Sequence, residues 1–126
     1  MKGYEVKIVD SSKELTARER ISLKNFDEMI SLDDAVNAET PKIMIDVSGY
    51  AVARVHNEKS DNVDYDKFII IDKEGQHYIT GSQPFFSSFI EIWDEMSGEN
   101  EEWSIKVYKR ESNNYKGKQF LTCSIC

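Results

Sequence analysis

The residues best equipped for chemistry crowd toward the end of the sequence. Between Glu102 and Cys126 stand five basic residues, Lys106, Lys109, Arg110, Lys116 and Lys118, against two acidic ones, Glu102 and Glu111. Trp103, Tyr108, Tyr115 and Phe120 are interleaved with them. Guanidinium and ammonium groups meet phosphate oxygens, and aromatic rings offer flat faces to nucleobases at about 1–3 kcal/mol per stacked base, whatever the base. Cations and rings alternating on one open surface are what a single polynucleotide strand requires.

Other chemistry finds little support. His56 and His77 have no Ser or Cys nucleophile signature near them, so neither a G-x-S-x-G elbow nor a Cys–His arrangement is present and no catalytic residue is expected. Asp61, Asp64 and Asp66 lie close in sequence, but they lack the central Gly and the bidentate Glu of a Ca²⁺ loop. Cys123 and Cys126 form a C-x-x-C with no second pair. In a strand, residues three apart point to opposite faces, which argues against chelation. No metal and no cofactor is expected.

The basic and aromatic residues need strands to hold them. In EWSIKVYKR the pattern predicts Trp103, Ile105 and Val107 on an apolar face and Lys106, Tyr108 and Arg110 on the other. In KQFLTCSI it predicts Leu121, Cys123 and Ile125 inward and Phe120, Thr122 and Ser124 outward, with the polar SNNYKG as a hairpin connection. A long strand over Lys42 to Asn57, bent or bulged at Ser48-Gly49, adds Tyr50, Arg54 and His56 on the face opposite Ala51, Ala53 and Val55. If these outer faces adjoin in one sheet, Tyr50, Tyr108, Tyr115 and Phe120 stack bases. Arg54, Lys106, Arg110, Lys116 and Lys118 then meet phosphates. The competing reading is that Tyr108 and Phe120 cover a second small core or a dimer contact.

Tyr4, Val6 and Ile8 alternate with polar neighbours, as do Ile21 and Leu23, predicting a short antiparallel pair of strands over 4–9 and 20–25. Ser31 with Asp33 and Asp34 opens a helical turn that Pro41 ends. KFIIIDK and GQHYITG around Glu74-Gly75 predict a hairpin over 67–80, after the polar loop NEKSDNVDYD. A helix is predicted from Pro84 to Gly98, with Phe85, Phe89, Ile92, Trp93 and Met96 as its inward stripe.

At 126 residues, with 40% apolar and 31% charged residues, the chain is read as one domain, 1–126. It shows no repeat, no linker and no apolar run near the roughly 20 residues that cross a bilayer. The N-terminus lacks the pattern of a signal peptide, so a cytoplasmic location is expected, with the two cysteines as thiols. A net charge of −7 argues against a polyanionic partner, yet residues 102–126 carry +3 and the rest −10. The fold class expected is mainly β with one or two helices. One late helix between strands fits an OB-like five-stranded barrel plugged by that helix, with a small α+β sandwich as the alternative.

The stretches YAVARVHNEKSDN, FIIIDKEGQHYITGS, PFFSSFIEIWDEM and WSIKVYKRESNNYKGKQFLTCSI, in that order, resemble the OB-fold single-stranded DNA-binding proteins of small tailed phages. The resemblance covers residues 42–126 and leaves the first 40 unmatched. It implies a sequence-tolerant binder of single-stranded DNA that protects displaced strands in replication or recombination, in the cytoplasm of an infected cell. Phage replication proteins and further copies of the chain are its candidate partners. It also implies that Tyr108, Tyr115, Lys116 and Phe120 belong to the strand-binding surface. Bacterial relatives end in an acidic tail, whereas this sequence ends LTCSIC. A rival expectation from a different class is an acidic phage protein that inhibits a host protein by mimicking DNA, suggested by the net charge, Asp33-Asp34 and the acidic run Glu99 to Glu102.

Overall fold

A computed structural model describes residues 4–59, 63–99, 101–111 and 119–126. In chain order the elements are β1 (Tyr4–Ser11), α1 (Ala17–Leu23), a 3₁₀ turn (Phe26–Glu28), β2 (Ile30–Ser31), α2 (Leu32–Ala35), β3 (Lys42–Ile45), β4 (Val47–Asn57), β5 (Asp64–Asp72), β6 (His77–Thr80), α3 (Gln83–Met96), β7 (Ile105–Glu111) and β8 (Gln119–Ile125). The chain is mainly β. Its strands form a five-stranded sheet, ordered β1-β4-β5-β6-β2, and a three-stranded sheet, ordered β3-β7-β8. No described pairing closes either sheet into a barrel.

The described contacts gather into two compact units, Met1–Ile30 with Ser48–Gly81, and Ser31–Val47 with Ser82–Cys126. In the first, Leu23, Ala51, Ala53, Ile69 and Ile79 form a buried cluster, with Val6, Ile8, Leu15, Phe26, Met29 and Ile71 packed against it. β1 pairs antiparallel with β4, Val6 opposite Val55 and Lys7 opposite Arg54, with the register slipping between Ile8 and Asp10. Gly49 is required where β4 passes the end of β1. A Cβ there would stand 2.6 Å from Ser12 Oγ, which accepts a hydrogen bond from the Tyr50 amide at 3.0 Å.

The expected 67–80 hairpin is present as β5 and β6, with Phe68 opposite Thr80 and Ile71 opposite His77. Its turn is built by Asp72, whose carboxylate accepts from the amides of Glu74 at 2.9 Å and Gln76 at 2.8 Å. Gly75 supplies the positive φ of 89°. In the second unit, Ser82 caps α3 by accepting from the Phe85 amide, and Pro84 stands in the first turn. Phe85 and Phe89 are fully buried, whereas Ile92, Trp93 and Met96 of the predicted stripe are half-buried.

Three expectations are corrected. Residues 20–25 are not a strand: α1 occupies Ala17–Leu23, and β1 pairs with β4 instead. The deciding signal is Thr16-x-x-Glu19, a capping box in which Thr16 Oγ1 accepts from the Glu19 amide at 3.2 Å and Glu19 Oε1 from the Thr16 amide at 3.0 Å. Ile21 is 69% exposed while Leu23 is 2% exposed, so their alternation did not describe two buried positions. The Lys42–Asn57 strand is broken at Asp46, not at Ser48-Gly49, and its halves join different sheets. Asp46 accepts a hydrogen bond from Ser104 Oγ. Finally, α2 ends at Ala35 and not at Pro41, because Asn37 turns the chain by accepting from the amides of Glu39 and Thr40, each at 2.9 Å.

Candidate functional site

The strongest constellation lies on the three-stranded sheet of the second unit. Ile105 pairs with Ile125, Val107 with Cys123 and Lys109 with Leu121, while Lys106 pairs with Ser124, Tyr108 with Thr122 and Arg110 with Phe120. On the other side of β7, Lys42 pairs with Tyr108 and Met44 with Lys106. Directly paired residues share a face. One face therefore carries the buried Ile45, Ile105, Val107, Leu121 and Cys123. The other carries Lys42, Met44, Lys106, Tyr108, Arg110, Phe120, Thr122 and Ser124, with no carboxylate at any strand position.

That second face is open in part, with Thr122 buried. Lys42, Met44 and Arg110 are exposed, and Lys106, Tyr108, Phe120 and Ser124 are half-buried. The Tyr108 hydroxyl lies 2.7 Å from Ser124 Oγ, and Lys106 Nζ stands 5.3 Å from the centre of the Tyr108 ring. Flat aromatic surface, cations and absent carboxylates together suit a base and its phosphate better than they suit a protein core. Lys42 and Met44 were not foreseen here. The alternation in KIMI marks their outward side, but only the pairing of β3 with β7 brings them beside Tyr108.

Two facing assignments on β8 are revised. Thr122 is only 6% exposed, because α3 lies along β8 and Ser88 Oγ is 3.2 Å from Thr122 Oγ1. Ile125, expected inward, is 46% exposed at the strand end. Trp103 precedes β7 and packs edge-on against Trp93, ring centres 6.0 Å apart. Lys109 points to the apolar side, where its ammonium donates to the Asp33 carbonyl at 3.0 Å. Tyr115, Lys116 and Lys118 lie outside the described residues.

Tyr50 and Arg54 do not join this face. They belong to β4 in the five-stranded sheet, so the adjoining outer faces expected from the patterning are absent. Arg54 Nε donates to Asp66 Oδ1 at 3.0 Å, and this contact raises the guanidinium pKa. Tyr50 is half-buried and lines a cavity of about 280 Å³ with Leu15, Leu23, Ile71 and His77. Val52, between them on the same side of β4, is 7% exposed, so that side is not open along its length.

His56 is held by two carboxylates, Nδ1 at 2.7 Å from Asp64 Oδ1 and Nε2 at 3.2 Å from Glu58 Oε2. The bond to Asp64 and then that to Glu58 raise its pKa above 6.5. The carboxylates engage opposite nitrogens of one ring, which leaves no lone pair for a metal when the ring is protonated. Among the described residues, no group of three or more His, Cys, Asp or Glu side chains is placed to hold a metal ion. Cys123 is buried, and burial pushes its thiol up to about 12. Cys126 is exposed at the far end of β8. No described helix is long and apolar enough to cross a membrane.

No protein-family model, curated protein or solved structure matches the chain.

Proposed function

We propose that this protein binds single-stranded DNA without regard to sequence, through the outer face of the β3-β7-β8 sheet. The observation that carries the reading is the cation–aromatic face itself: Lys106 over Tyr108, with Lys42, Arg110 and Phe120 around them and no carboxylate at the strand positions. Tyr108 and Phe120 stack bases, while Lys42, Lys106 and Arg110 track phosphates. The surrounding negative charge limits binding to duplex DNA, whose phosphate density makes repulsion more costly. The biological setting, protection of displaced strands in phage replication or recombination, follows from the resemblance of the ordered stretches alone.

DNA mimicry has less to recommend it. Asp66 is paired with Arg54, and Asp64 and Glu58 each contact the His56 ring, which dilutes any phosphate-like array there.

The test is a titration of labelled oligo-dT followed by fluorescence anisotropy, because both tryptophans pack near the end of α3 and not on the face. Affinity is expected to fall steeply with salt, with a slope of about −0.7 per phosphate contact. Duplex of the same length competes weakly. Absence of oligo-dT binding at low salt would overturn the reading, and it is the outcome that mimicry requires.

A further inference from the structure

We infer that Tyr108 is a preset stacking platform, with Ser124 as the positioning residue that fixes its ring and Lys106 as an exchangeable cover that must leave before a base can stack. This rests on the proposed single-strand binding and specifies how its central site is regulated.

The direct cross-strand neighbour of Tyr108 is Thr122, whereas Ser124 stands opposite Lys106. The Tyr108 hydroxyl reaches Ser124 Oγ at 2.7 Å. The side chain therefore leans along the strand, over the Lys106–Ser124 pair, and not straight across. A tyrosine has two rotatable bonds, and a hydroxyl held by the neighbouring strand restrains both. The ring presents one orientation before any ligand arrives, so binding loses less side-chain freedom.

That presented ring is not vacant. Lys106 Nζ lies 5.3 Å from its centre, within the range of a cation–π contact. A base stacks with ring planes closer than this, so ammonium and base cannot share that side of the ring. A half-buried cation–π contact of this length is modest. The released ammonium has a better partner, the phosphate of the nucleotide whose base displaced it. Lys106 thus differs from Arg110, which lies four residues further along the same face. Both contribute a phosphate contact, but only Lys106 loses a ring contact in making it.

The experiment compares oligo-dT with an abasic oligonucleotide of the same length, over a salt series, for the wild type and four variants whose folding is checked by thermal melting. Tyr108→Phe and Ser124→Ala each remove the anchoring hydroxyl pair. They are expected to weaken oligo-dT binding by about three- to tenfold, with unchanged salt slope and unchanged affinity for the abasic strand. Lys106→Ala and Arg110→Ala are each expected to make the slope shallower by about 0.7. Only Lys106→Ala should also raise the ratio of oligo-dT to abasic affinity, since it alone uncovers the ring. If the ratio is the same in Lys106→Ala and Arg110→Ala, the cover is refuted. If Tyr108→Phe and Ser124→Ala bind both strands as the wild type does, the positioning role is refuted, while single-strand binding stands. A wild type that binds neither strand overturns both the platform and the function beneath it.

Discussion

Arg54 and Asp66 face one another across β4 and β5, with Nε 3.0 Å from Oδ1 and a second contact of 3.5 Å from Nη2 to Oδ2. The carboxylate offsets the guanidinium's charge, and this pair belongs to a different sheet from Tyr108. Arg54→Gln is therefore expected to leave oligo-dT affinity and its salt slope unchanged, whereas Arg110→Gln makes the slope shallower by about 0.7. Equal losses in the two variants, read by anisotropy, would return Arg54 to the binding surface.

His56 makes stability depend on pH. Its folded pKa is raised by Asp64 and then Glu58, so the protonated form is favoured in the folded state. The stabilisation is complete below the unfolded value of about 6.5 and is lost as pH rises through the raised folded value. An NMR titration is expected to place His56 above 6.5, with Asp64→Asn bringing it down. Thermal melts of wild type and Asp64→Asn should differ most just below pH 6.5 and converge as pH rises past the raised folded value.

α1 depends on its first residue pair. Removing the Thr16 hydroxyl leaves the Glu19 amide without its acceptor, and Thr16→Ala is expected to cost about 1 kcal/mol. Thr16→Ser, which keeps the acceptor, should recover most of it in urea denaturation.

The two faces of the β3-β7-β8 sheet respond in opposite ways. Leu121 is 3% exposed, and Leu121→Ala is expected to destabilise the protein by about 2–5 kcal/mol. Affinity per folded molecule should not change. Tyr108→Ala is expected to cost about 1–3 kcal/mol of strand affinity with little loss of melting temperature. The reverse pattern would make Tyr108 a core residue.

The two thiols separate by burial. Cys126 is exposed, while Cys123 is buried with its pKa pushed up to about 12. Native protein is expected to react with a thiol reagent at Cys126 alone, with Cys123 reacting only after denaturation. Cys126→Ser should leave folding unchanged. Rapid modification of both in the native state would contradict the burial of Cys123.

Much of this fold could be read from local signals. The β5–β6 hairpin follows from two β-rich runs around Asp72 and Gly75, because the turn is satisfied within its own few residues. α3 follows from Pro84 and the Phe85–Phe89 spacing, and the two faces of β7 from strict alternation. α1 was legible in Thr16-x-x-Glu19 but hidden by a stronger-looking alternation at Ile21 and Leu23. A period of two over a few residues does not say whether both apolar positions are buried.

Partnership between distant strands was decided only by tertiary structure. The 42–57 segment reads as one strand because its propensity is continuous. Its division at Asp46, with β3 beside β7 and β4 beside β1 and β5, depends on pairings sixty or more residues away in sequence for β3 and forty or more for β1 and β4. Propensity carries no register information over such distances. For that reason the sequence by itself determined the two sides of β7, and named Lys106, Tyr108, Arg110 and Phe120 as one face. The tertiary pairing decided that Lys42 and Met44 join them, that Arg54 answers to Asp66, and that Tyr108 meets Ser124.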